Sequence, residues 1–140
     1  MKVFLDEDNG TGIPKALRLV RAPAAQIVFP GNDPGSVIRK GASDLEWLSW
    51  VGTNEFLAIS QNTRLMDNPL ERQHLVDVSA GVIFIGSGRQ PSWKVLRLLL
   101  KRWEWLQQID THEPRPFALR LDFAGAPWSY DFAPSRWIRS

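Results

Sequence analysis

The apolar positions of the chain fall into short unbroken runs separated by stretches with helical spacing. Val3-Phe4-Leu5 stops at Asp6-Glu7-Asp8-Asn9-Gly10, and Pro14-Lys15-Ala16-Leu17-Arg18-Leu19-Val20 follows with helical composition and a proline suited to a first turn. Gln26-Ile27-Val28-Phe29 reads as a second buried strand closed by Pro30-Gly31, with a loop from Asn32 to Gly41. Ser43-Asp44-Leu45-Glu46 has the serine and glutamate spacing of a capping box and opens a helix to about Val51. Phe56 to Ser60 is a third strand. Asn68-Pro69-Leu70-Glu71 repeats the cap, proline and glutamate signals for a helix to about Asp77, and Gly81 to Gly86 is a fourth strand. Between Ser92 and Ile109 the residues Val95, Leu96, Leu99, Trp103 and Leu106 recur three or four apart, which predicts one long helix. Phe117 to Phe123 alternates, which predicts a strand at a sheet edge with one side toward water.

Strands that are apolar throughout and separated by helices must be covered on both faces. The expected fold is therefore α/β, a three-layer α/β/α sandwich around a mostly parallel sheet of about five strands. The expected domain is 1–123, with 124–140 as an irregular tail. A length of 140 residues with 44% hydrophobic and 23% charged residues suits one such domain. No apolar stretch approaches a membrane span, and Asp6 interrupts the opening apolar run before it reaches the length of a secretory signal, so the expected location is cytoplasmic with no membrane partner.

Zero cysteines remove disulfides, thiolate metal sites and a thiol nucleophile, and His74 and His112 are too few and too far apart in sequence for a polyhistidine centre. A metal, if bound, must be held by oxygen. The net charge of +2 is small, but residues 1–88 carry eight Lys/Arg against ten Asp/Glu and residues 89–140 carry nine against five. An acidic front half meets a basic rear half, which is where an anionic partner would be sought.

In an open parallel sheet, ligands bind beyond the carboxyl ends of the strands. The residues just past the first strand are Asp6, Glu7 and Asp8, and those past the third are Ser60, Gln61 and Asn62. The following helices open with Asp44 and Glu46, and with Glu71. Helix capping is the better reading of Glu46 and Glu71, whereas for Asp44 capping and function stand even. Asp6 gains nothing from a helix, and Glu7 and Asp8 read as solvated loop residues. Carboxylates crowded on one rim repel one another, a cost that Mg²⁺ or Mn²⁺ removes by coordination.

The order Phe4-Leu5-Asp6-Glu7, Lys15-Ala16-Leu17-Arg18, Ser43-Asp44-Leu45-Glu46-Trp47-Leu48, Leu57-Ala58-Ile59-Ser60, Arg64-Leu65, Asn68-Pro69-Leu70-Glu71-Arg72 and Arg115-Pro116-Phe117-Ala118-Leu119-Arg120 resembles the PIN-like nucleases, close to VapC-type toxin domains, over about residues 1–121. The resemblance implies a Mg²⁺- or Mn²⁺-dependent endoribonuclease in which water attacks an RNA phosphodiester. It implies a toxin role with an antitoxin protein as partner, and a homodimer is a further expectation. Asp6 and Asp44 match the first two acidic metal ligands. Where relatives place an aspartate after the third strand, this chain has Asn62, a neutral oxygen, with Glu71 or Asp8 available in compensation. Arg64 and Arg72 are the candidate phosphate-binding cations. Lys94, Arg97 and Lys101 form a more distant stripe, whose plainer reading is an exposed helix face. Of the seven tryptophans, Trp47 and Trp103 fit the core, while Trp105 and Trp137 suit exposure or an interface.

Two other readings compete. Phe4 to Thr11 approaches the opening loop of haloacid-dehalogenase-like phosphatases, which would make Asp6 a nucleophile and Asp8 an acid. Asn9 interrupts that motif and the later lysine is missing. A non-catalytic PIN-like interaction module with a weakened metal site is supported by Asn62 and by the tryptophan-rich end.

Overall fold

The computed structural model describes residues 1–24, 26–31, 37–86, 90–124 and 126–139, so residues 32–36 of the expected loop lie outside the described residues. The described strands are β1 (Lys2–Leu5), β2 (Gln26–Val28), β3 (Leu57–Ser60), β4 (Gly81–Ile85), β5 (Phe117–Leu121), β6 (Pro127–Asp131) and β7 (Arg136–Arg139). The helices are α1 (Gly12–Leu19), α2 (Asp44–Asn54), α3 (Pro69–Asp77), α4 (Ser92–Lys101) and α5 (Trp103–His112), with short 3-10 turns at Glu7–Asn9 and Thr63–Asp67. The seven strands form one sheet in the order β2-β1-β3-β4-β5-β6-β7. Pairings from β2 through β5 are parallel, and β6 and β7 add antiparallel neighbours.

Alternation along each buried strand feeds two separate apolar layers. Val3, Leu5, Leu57, Ile59, Ile83, Ile85, Phe117 and Leu119 pack with Ile13 and Leu17 of α1, Val95 and Leu99 of α4, and Trp103 and Leu106 of α5. Phe4, Ala58, Val82, Phe84 and Ala118 face the other way, onto Trp47, Leu48 and Val51 of α2 and Leu75 of α3. Burial on both sides is the reason β1, β3 and β4 carry no polar alternation, and the α/β/α expectation holds.

The caps are those read from the sequence. The Ser43 hydroxyl accepts from the Glu46 N–H at 3.2 Å, and Asn68 Oδ1 accepts from Leu70 and Glu71 N–H at 3.0 and 3.3 Å. Helix α2 outruns the expected end at Val51 and stops where Glu55 turns left-handed at φ 58°. It lies so close to α3 that a Cβ at Gly52 would stand 2.3 Å from the Val78 carbonyl oxygen.

Three expectations need correction. The single helix over 92–109 is two, separated at Arg102. The break leaves Trp103 buried with its Nε1 donating to the Pro23 carbonyl at 2.8 Å, and because both segments bury the same side, apolar spacing runs through it unaltered. Strand β5 is interior, between β4 and β6. Its polar position, Arg120, is roofed by indoles, with the guanidinium 5.0 Å from the Trp128 ring and 4.9 Å from that of Trp137. The tail expected to be irregular is the β6–β7 hairpin, registered by Arg120 against Trp128 and Tyr130 against Trp137. Pro127 is tolerated as the first residue of its strand, and Tyr130, Phe132 and Trp137 pack on the α2/α3 layer. Among the described residues no helix is long and apolar enough to cross a membrane.

Candidate functional site

The strand order reverses at β1 and β3: the chain passes outward from β1 to β2, then returns to the other side of β1 for β3. Crevices open at such switch points beyond the strand carboxyl ends. Here the crevice is a cleft of about 1020 Å³ whose walls include Asp6, Asp8, Asp44, Asn62, Arg64 and Ser92.

Asp6 follows β1 directly, and its N–H donates to the Ile59 carbonyl at 2.9 Å, so it is held against β3. Leu5 pairs with Ile59, which sets Asp6 beside Ser60. Fully buried Ser60 donates its hydroxyl to Asp6 Oδ2 at 2.8 Å, and Oδ1 accepts from the Glu7 N–H. Asn9 fastens the turn from below, its Nδ2 donating to the carbonyls of Asp6 and Ile59 at 3.0 and 2.9 Å. Burial raises the Asp6 carboxyl to about 7, helped by the charges of Asp8 and Asp44 and opposed by the Ser60 and Glu7 donors.

Asp44, the first residue of α2, is held by its own helix, for Trp47 Nε1 donates to Oδ1 at 2.8 Å. Oδ2 accepts from Asn62 Nδ2 at 3.2 Å. Asn62 also donates its backbone N–H to the Ser60 hydroxyl at 3.0 Å. A continuous chain therefore runs Asp6, Ser60, Asn62, Asp44, tying the first two candidate acids through the third strand's terminus.

Asp8, read from the sequence as a solvated loop residue, stands in the cleft wall and accepts from the Gln61 N–H at 3.1 Å. Its carboxyl is raised, first by loss of water and then by the charge of Asp44, against the Gln61 donor. Glu71 keeps its capping place beside Asn68 but also reaches Asp44. Partial burial, the Asp44 charge and a hydrogen bond with that carboxylate all raise the Glu71 carboxyl. Asp6, Asp8 and Glu71 thus all have raised carboxyls, each chiefly by burial and each also by the charge of Asp44.

Of the two arginines, Arg64 is exposed on the cleft wall. Arg72 is not brought there: its Nη1 donates to the Met66 carbonyl at 2.8 Å and braces the 3-10 turn before α3. Sequence reasoning passed over Asn9 and undervalued Asp8. Spacing carries no signal for either, since both depend on how the turn after β1 folds back on β3.

Among the described residues no three Asp, Glu or His side chains are grouped closely enough to hold a metal ion. The donor set is nonetheless suited to a hard cation, because Mg²⁺ is commonly held by one or two carboxylates with water completing the shell. Asp6 and Asp44 would supply that pair, both standing in the wall of the one cleft. A family model described as a PIN like domain matches residues 1–87. No curated protein and no solved structure gives a significant match to the chain.

Proposed function

Because the chain belongs to the PIN-like domain family, we propose that it is a Mg²⁺- or Mn²⁺-dependent endoribonuclease working in the cleft beyond β1 and β3. The observation that carries this reading is the hydrogen-bonded chain from Asp6 through Ser60 and Asn62 to Asp44, which directs two carboxylates 38 residues apart in number into one cleft. When bound, the cation would lower the pKa of a coordinated water and offset charge on the phosphate. Asp6 and Asp44 would hold it. Ser60 and Trp47 fix the carboxylates that would do so, and Asn62 keeps the Asp44 oxygen turned toward the cleft. Arg64, on the wall, would meet a phosphate oxygen of the strand. Asp8 would accept a proton at the cleft mouth, its backbone partner Gln61 holding it in place.

The test is cleavage of mixed RNA with Mn²⁺ by wild type, Asp6→Asn and Asp44→Asn. Wild type should cut, and each variant should lose at least about a hundredfold in rate, several kcal/mol of barrier being at stake in a charge-stabilising group. Intact RNA in all three tubes, beside an active control nuclease, sinks the proposal. The finer toxin role rests on the ordered motifs from Phe4 to Arg120 and predicts that the chain is inhibited by, and copurifies with, the product of an adjacent small reading frame.

One observation favours a second reading. Asn62 stands where a carboxylate would complete a three-acid set, and no such set is grouped among the described residues. A non-catalytic interaction module would bind neither Mn²⁺ nor scissile RNA yet keep the fold.

A further inference from the structure

The basic stripe foreseen on the long helix lines a groove. Lys94, Arg97, Lys101 and Arg102 stand around a depression of about 440 Å³ whose apolar floor is Leu98 and Phe123. No carboxylate is among its described lining residues. Lys94, Arg97 and Lys101 recur on one side of α4 and span two helical turns, about 10 Å. Trp93, 59% exposed, lies under two of these cations, with Lys94 Nζ at 5.6 Å and the Arg97 guanidinium at 5.5 Å from its ring. Ring contacts of this kind hold long side chains in place and lower the entropy lost when they meet a ligand.

Position supplies the ligand. Helix α4 begins at Ser92, a wall residue of the cleft, and the groove lies along the same helix. A strand leaving the cleft past Ser92 would meet Trp93 within one residue and the cations over the next two turns. Recurring cations along a recessed apolar floor, two of them against an exposed aromatic ring, suit a chain of phosphates carrying flat unpaired bases. We infer that the α4 groove, lined by Lys94, Arg97 and Lys101 with Trp93 against the first two of these cations, is a second phosphate-binding site that grips single-stranded RNA extending from the cleft. The choice of RNA rests on the nuclease reading above.

The experiment measures binding of fluorescein-labelled single-stranded oligouridylate to the full chain by anisotropy, in EDTA so that no strand is cut, across a salt series. The variants are Lys94→Gln/Arg97→Gln/Lys101→Gln and Arg97→Gln alone. Each phosphate contact to a single strand contributes about 0.7 to the slope of log K on log salt, so the triple variant should lose about 2 and the single variant about 0.7. At low salt the triple variant should bind at least about tenfold more weakly. Unchanged slopes overturn the inference, and the single variant decides it should the triple fail to fold. Wild-type binding to anionic phospholipid vesicles that the variants lose, with RNA binding intact, assigns the groove to a membrane surface and overturns it as well. Cleavage is scored separately with Mn²⁺. Cleavage with unchanged slopes removes the groove and leaves the nuclease, whereas reduced slopes without cleavage remove the nuclease and leave the groove.

Discussion

Asn62 donates to Asp44 Oδ2 at 3.2 Å, an amide filling the position next to a carboxylate where a second carboxylate would be repelled. In the metal-free protein this pairing stabilises the cleft, and with a cation bound it leaves the site one charge short.

Asn62→Asp should therefore invert the two properties. The variant should melt at lower temperature than wild type in EDTA, because the Asp44 partner becomes a like charge. It should bind Mn²⁺ more tightly by about tenfold, near 1.4 kcal/mol. Calorimetric titration with Mn²⁺ and melts with and without metal check both, and equal or weaker Mn²⁺ binding counts against a cation in this cleft.

The Asp6 carboxyl is raised from 3.8 to about 7, chiefly by burial. Between those values the folded chain keeps a proton that the unfolded chain has released, so the folded state binds more protons. The associated stability is complete below the unfolded value and drains away as pH rises through about 7. Asp8 and Glu71, also raised, act in the same direction. Without metal, melting temperature should fall as pH rises from about 4 to 7, and Asp6→Asn, uncharged and of the same shape, should flatten the curve. On the proposed reading Mn²⁺ would compete with that proton, so its affinity should increase with pH over the same interval.

Ser60→Ala removes the donor to Asp6 and the acceptor of the Asn62 N–H together. Losing a bond to a charged group costs about 1.5–3 kcal/mol. Because that donor holds the Asp6 carboxyl down, the variant should show its pH-dependent loss of stability at higher pH than wild type. A fall in urea midpoint without any shift of the pH profile would mean that Ser60 supports packing alone.

The alternation of buried strands and helices was legible because the strands are apolar runs and the helices carry their own caps at Ser43 and Asn68. Asp6 and Asp44 were legible because each sits next to an element whose type could be read. Besides the β6–β7 hairpin, three features were not. Arg120 makes β5 look half exposed, since an alternating pattern cannot tell water from an indole roof. The break at Arg102 lies within an unbroken apolar period. Asp8 looks like one acid among several in a loop, and its place in the cleft follows from Asn9 drawing the turn onto β3.

Gly52→Ala tests the packing of α2 on α3. The added methyl would meet the Val78 carbonyl oxygen at 2.3 Å, an approach that only movement of backbone relieves. Overpacking of this kind costs about 1–3 kcal/mol. The urea midpoint should drop with an unchanged m value, and a midpoint equal to wild type would mean that the two helices are set farther apart.

The hairpin that widens the sheet also decides how it ends. Its outer strand, β7, runs Arg136-Trp137-Ile138-Arg139. Two copies joined edge to edge in antiparallel fashion, centred on that strand, would set Arg136 of each opposite Arg139 of the other, and like charges directly opposed across strands disfavour the union. The far margin, β2, is only three residues long and offers little to grip. Growth of the sheet into ribbons is thereby discouraged at both rims.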